Sequence, residues 1–151
     1  SKYCTEMFNK MSSITSFGDF ITYQYCQDLN YTDFFDFDDN EFCSAGVGTI
    51  RGIKRCFDIE GKVDYGDIVK WVHRNFEYFL DKFNSNFKPL PNHMPTVPDL
   101  SNCFCETDKY LRGLGLDKDK VKGKRIKNKF VKSNKDIDFV FPKKWNVGKL
   151  V

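Results

Sequence analysis

The chain has 151 residues and a formal net charge of +3; 40% of its residues are hydrophobic and 17% aromatic, 16 of them Phe. That length suits one domain with a core of its own, and a core filled by rings, each burying a large apolar area, excludes global disorder. No apolar run approaches the length of a membrane span and no signal-peptide pattern opens the chain. An intracellular protein with no membrane partner is expected, nuclear in a eukaryote and cytoplasmic in a prokaryote.

Thr5 to Met11 reads as a short helix running into Ile14-Thr15-Ser16-Phe17-Gly18, after which Phe20, Tyr23, Gln24 and Leu29 indicate a second helix. This is a helix, hairpin, helix pattern. Gly18 is expected to take a backbone conformation closed to bulky residues and to let a phosphate approach the amides that open the next helix. Ser16 stands where such hairpins usually carry their first glycine. Phe17 and Gly18 are therefore candidate DNA-backbone contacts, against the plainer reading of a turn between packed helices.

Asp33 to Glu41 is acidic, with Phe34, Phe35 and Phe37 expected to fold back onto the core. A glycine-rich turn, Ala45 to Gly52, then opens a helix carrying Ile53, Cys56 and Phe57. Gly46, Gly48, Arg51, Lys54 and Arg55 combine close backbone approach, a helix N-terminus and three cations, which suits a phosphate or pyrophosphate. The competing reading is that these glycines permit tight packing. The phosphate loop of glycine, four residues, glycine, lysine and serine or threonine is absent, so a nucleotide kinase of that type is not expected.

Tyr65 to Phe83 has the three-to-four spacing of an amphipathic helix and reads as the longest one. Pro89, Pro91, Pro95 and Pro98 mark a semi-rigid loop. Asp99 is expected to cap a last helix whose core face is Leu100, Cys103, Phe104, Thr107, Tyr110 and Leu111, ending at Gly113 and Gly115. On that helix Glu106 pairs with Lys109 by spacing and Asp108 with Arg112. Glu106, Asp108 and Lys109 are the candidate catalytic groups, because carboxylates beside a cation supply acid–base chemistry where water is excluded; solvated surface pairs are the alternative.

His73 reads as structural and His93 has no partner ligand in sequence, so no metal site and no cofactor are expected. Six cysteines with no paired spacing read as free, buried thiols. From Lys118 to Lys135 cations come at nearly every second position. Lys122, Lys124, Arg125, Lys127 and Lys129 are candidate DNA-backbone contacts, against a solvated tail. Ile137 to Phe141 is a short strand or a docked segment. About five helices and almost no sheet imply an all-α orthogonal helical bundle, with a helical domain over 1–116 and a basic tail over 117–151.

The string Phe17 to Gln24, then Asp28-Leu29 with Tyr31, Ala45 to Gly48 leading into Arg51-Gly52-Ile53, and Cys105 to Tyr110 together resemble a glycosylase-like helical family of DNA base-hypermodification proteins. These are the α-glutamyl/putrescinyl thymine pyrophosphorylases and the related helical domain of 5-hydroxymethyluridine DNA kinases. The likeness spans about Met11 to Gly113, with Gly46-Val47-Gly48 where glycine, proline, glycine is expected. It implies a helix-hairpin-helix glycosylase-type core that engages a thymine-derived base in DNA. It also implies that a 5-hydroxymethyl group activated by phosphorylation is displaced by an amine.

On that resemblance Arg51, Lys54 and Arg55 would clamp the departing (pyro)phosphate. Glu106 or Asp108 would deprotonate the amine, and Tyr23 and Gln24 would stack on and hydrogen-bond the flipped base. Base excision fits poorly, since the region where a glycosylase carries its Asp reads Gly46-Val47-Gly48. Two further readings stand beside the transferase. One is a non-catalytic module that binds DNA and delivers it to a kinase or other base-modification enzyme; the other is a protein-interaction bundle.

Overall fold

Each helix begins where the sequence supplies a residue able to leave helical geometry. Gly18 and Gly46 are both extended, at φ −77, ψ 160 and φ −72, ψ 168, and Asp64 caps its helix by accepting from the Gly66 amide at 2.7 Å. The computed structural model describes residues 2–116, 134–136 and 138–148. Within them run α1 (Lys2–Ser12), α2 (Asp19–Asn30), α3 (Val47–Cys56), α4 (Tyr65–Arg74), α5 (Phe76–Lys82) and α6 (Val97–Gly113), with a 3-10 turn at Lys143–Trp145. The described residues form no strand, and pairing is limited to an isolated bridge between Leu90 and His93.

Several expectations are corrected at the level of elements. The stretch Tyr65 to Phe83 is two helices, because Asn75 leaves helical geometry (φ −109, ψ 22) and its side chain donates to the Trp71 carbonyl at 2.8 Å. The longest helix is α6. It is capped by Thr96 rather than Asp99, whose carboxylate instead accepts from the Thr96 amide and hydroxyl, both at 2.8 Å. Pro98 is no loop residue: it sits in the first turn of α6, where no intrahelical donor is lost.

The core is formed by Tyr23, Cys43, Ile53, Val69, Val72, Val97 and Leu100, all buried. Around Phe57 the rings of Trp71, Phe79 and Phe104 pack edge-on at 6.1 to 6.2 Å, joining α4, α5 and α6 through one aromatic hub. The closest crossing is α3 on α6, and it is made of small residues. A Cβ on Gly52 would overlap the Phe104 carbonyl oxygen and lie 2.6 Å from its carbon, and one on Gly48 would lie 2.5 Å from Cys105 Sγ. Between them Thr49 Oγ1 meets both the carbonyl and the hydroxyl of Ser101 at 3.1 Å.

This crossing reverses part of the expected face of α6. Ser101 and Asp108 are buried, whereas Cys103 is exposed and Tyr110 is 67% exposed. Only Cys4, Cys26 and Cys43 are buried thiols; Cys56 and Cys103 face solvent. Burial raises the Cys26 thiol to about 11, so it is no thiolate nucleophile at neutral pH.

The acidic loop does not turn all its rings inward: Phe34 is 90% exposed. Instead the turn at Lys143–Trp145 docks there. Trp145 stacks on His93 with centroids 4.0 Å apart and meets Tyr31 edge-on at 5.7 Å, while Lys143 reaches Asp33 at 3.5 Å and Lys144 reaches Asp39 at 3.7 Å.

Candidate functional site

Residues four apart on a helix share a face, so Arg51 and Arg55 of α3 both point across the glycine crossing at α6. There they meet Asp108, whose side chain is wholly buried. Its Oδ2 accepts from Arg51 Nε at 3.1 Å, Arg51 Nη2 at 2.8 Å and Arg112 Nε at 3.0 Å, and its Oδ1 accepts from Arg55 Nε at 3.0 Å. The three arginine side chains keep 27%, 21% and 15% of their surface open for Arg51, Arg55 and Arg112.

Burial alone would push the Asp108 carboxyl up, but the hydrogen bond from Arg55 and the charges of Arg51 and Arg112 outweigh it and hold the group below its ordinary value. A general base needs a free lone pair facing its substrate and a pKa near the working pH. Asp108 is instead committed to Arg51, Arg55 and Arg112, with its pKa lowered rather than raised toward neutrality, an arrangement that orients guanidinium groups. Glu106 pairs with Lys109 on the outer side of α6, with the two side chains 65% and 44% exposed. That contact raises the Lys109 pKa, and the pair stands in solvent rather than in a water-excluded site.

The other expected phosphate ligands do not converge with Arg51 and Arg55. Lys54 is exposed and lies over the Tyr65 ring at 5.6 Å. Gly48 is filled by the Cys105 side chain, so its missing Cβ serves helix packing. Gly46 is the residue before α3, and a Cβ there would lie 3.2 Å from the Phe20 ring of α2. The two glycine turns therefore bring the starts of α2 and α3 together.

Tyr23, expected to stack on a base, is a core residue only 4% exposed. Its hydroxyl donates to the Phe42 carbonyl at 3.2 Å, and burial raises its pKa. At that exposure the ring serves the core rather than an open stacking surface. Gln24 is half-buried one position further on. In the hairpin the left-handed residue is Ser16 (φ 76), not Gly18, so the conformational need sits where the usual motif has its first glycine. Phe17 stacks on Tyr25 at 5.5 Å, and Gly18 is exposed with no atom within 4 Å of where a Cβ would stand. Lys122, Lys124, Arg125, Lys127 and Lys129 lie outside the described residues.

Sequence reasoning missed Arg112 as a member of this cluster. The signal was present as the four-residue spacing from Asp108, but nothing local indicated that Asp108 faces inward. Among the described residues no group of three or more His, Cys, Asp or Glu side chains is placed to hold a metal ion, and no helix there is long and apolar enough to cross a membrane.

A family model described as the helical domain of 5-hmdU DNA kinase matches residues 1–118, and the chain belongs to that family. No curated protein and no solved structure matches it.

Proposed function

We propose, with membership of this family as the premise, that the chain is the DNA-engaging helical domain of a thymine-hypermodification enzyme, built on a helix-hairpin-helix glycosylase-like bundle. In this reading the arginine cluster at the α3–α6 crossing holds a phosphate of the DNA or of the activated 5-methylene group. One observation carries it: the Arg51 and Arg112 side chains are held by one buried carboxylate while each keeps part of its surface open. Planar forks held in place lose little entropy on binding, and their geometry matches phosphate oxygens. The lysine-rich run, including Lys122, Lys124, Arg125, Lys127 and Lys129, would add sequence-independent backbone attraction.

The geometry favours a module that presents DNA to a kinase or other partner enzyme over a self-sufficient transferase. Asp108 is fully engaged and Glu106 is solvated and paired, so neither is set up as a base. The test measures duplex affinity against salt concentration for the protein and for Arg51→Gln and Arg112→Gln. Each substitution should lower the log–log salt slope by about 1. An unchanged slope in both would remove the phosphate role. Supplied with a primary amine as nucleophile, the chain should release no phosphate from DNA carrying phosphorylated 5-hydroxymethyluracil; amine-dependent release abolished by Glu106→Gln would restore the transferase.

A further inference from the structure

Beyond α6 the turn at Lys143–Trp145 is held on the helical body, and its seat is built without it. Asn30, buried at the end of α2, accepts from the Phe37 amide at 2.8 Å through Oδ1. Through Nδ2 it donates to the Phe37 carbonyl at 3.1 Å and to Asp39 Oδ1. Asn40 Oδ1 accepts from the Val97 amide at 3.1 Å, which ties the same loop to the first turn of α6. Asp39 is thereby oriented with Oδ2 left over, and that oxygen meets Lys144 at 3.7 Å.

Two kinds of contact hold the turn there. Trp145 lies flat on His93 and edge-on to Tyr31, with its indole Nε1 buried, and Asn92 donates to the Asn146 carbonyl at 3.4 Å. Lys144 also stands 5.8 Å from the Tyr31 ring centroid, within cation–π reach, while Lys143 meets Asp33. The surface beneath is strongly acidic: Asp28 to Glu41 carries six carboxylates and no Lys or Arg. A phosphate strand reaches the docked lysines only by approaching those carboxylates, and charges act over about 8 Å at physiological salt.

We infer that the docked turn is an autoinhibitory contact: the acidic loop is a built-in competitor for a nucleic-acid backbone, holding Lys143 and Lys144 until DNA draws them off. The inference rests on the DNA-binding reading above. The aromatic stack sets how hard the release is, because the indole has to leave His93 before the lysines clear the acidic surface. The binding-competent form is then only a fraction of the free chain, and apparent affinity falls by that fraction. A change that loosens the stack therefore tightens DNA binding although it adds no positive charge, which general electrostatics does not do.

The experiment titrates the chain with an unmodified duplex while the Trp145 indole N–H is followed by NMR, assigned by its loss in Trp145→Ala. The signal should move to the position of a solvent-exposed indole as the duplex saturates. Trp145→Ala should bind the duplex about tenfold more tightly, the worth of one aromatic stack. Asp39→Asn and Asp36→Asn remove the same charge, but only Asp39 holds a lysine of the turn, so Asp39→Asn should tighten binding several-fold more than Asp36→Asn. If the duplex binds while the indole signal stays in place and Trp145→Ala binds no more tightly, the autoinhibitory contact is overturned and DNA binding stands. Equal gains from the two aspartate variants would overturn it too, by reducing the loop to bulk charge. Duplex binding by Trp145→Ala alone would be its strongest support, and no binding by either protein would remove both this inference and the functional reading.

Discussion

Replacing Asp108 by Asn tests the arginine cluster most severely. The substitution keeps volume but withdraws the one negative charge that accepts four hydrogen bonds from three guanidinium groups. Removing one partner of a buried ion pair costs about 3–5 kcal/mol because the remaining charge is left uncompensated. The arginines keep between 15% and 27% of their surface open and can turn partly to water, so the lower end applies, about 3 kcal/mol. With a urea slope of about 1.5 kcal/mol per molar for a chain of this size, the unfolding midpoint should fall by about 2 M.

The pH profile gives a second, independent arm. Asp108 has its folded pKa below the ordinary 3.8, so its contribution is complete above about pH 4 and is lost as pH falls through the folded value. The stability gap between the two proteins should thus close below about pH 4. Urea unfolding followed by circular dichroism reads both. A midpoint shift under about 0.3 M at pH 7, or a gap that stays constant down to pH 2, would refute the reasoning.

Three further outcomes follow from the packing. Gly52→Ala gains about 1 kcal/mol of helix propensity but drives a methyl into the Phe104 carbonyl; a net loss of about 2 kcal/mol is expected, seen by calorimetry as a melting point lower by about 8 °C, and a raised melting point would contradict the tight crossing. Ser16→Gly should stabilise by about 1 kcal/mol by relieving a left-handed residue, whereas Gly18→Ala should stay within about 0.5 kcal/mol; the reverse order in urea melts would restore the hairpin expected from sequence. Trp145→Ala should expose the peptide bonds after Lys143 and Lys144 to trypsin, while high salt alone, which screens chiefly the exposed Lys143–Asp33 pair, should not; equal release by salt would make the ion pairs, not the stack on His93, the anchor.

The helices that hydrophobic spacing marked at Phe20, Ile53, Ile68 and Leu100 all exist, because each buries an apolar stripe that periodicity detects. Two features lay beyond such reasoning. The break at Asn75 is invisible to periodicity, since apolar residues continue in phase on both sides and a side-chain bond to Trp71 makes the kink. The inward face of α6 is read only in part: Leu100 and Phe104 do face the core, but the side that packs on the α3 glycines holds Ser101 and Asp108, while Cys103 and Tyr110 face out. For the site, Arg51 and Arg55 were legible as a cationic pair on one helix face. The partner that organises them, Asp108, lies 57 positions from Arg51 in sequence, a distance at which only the fold decides contact. Tyr23 was noticed for its ring, yet its neighbours Cys43 and Phe42 enclose it.

The most direct test of the account is the affinity of the purified chain for duplexes that differ only at one base, thymine, 5-hydroxymethyluracil or its phosphorylated form, measured at two salt concentrations with Arg51→Ala alongside. The account predicts tightest binding to the phosphorylated base and loss of that margin in Arg51→Ala. Equal affinity for all three duplexes, unchanged by Arg51→Ala, would contradict it.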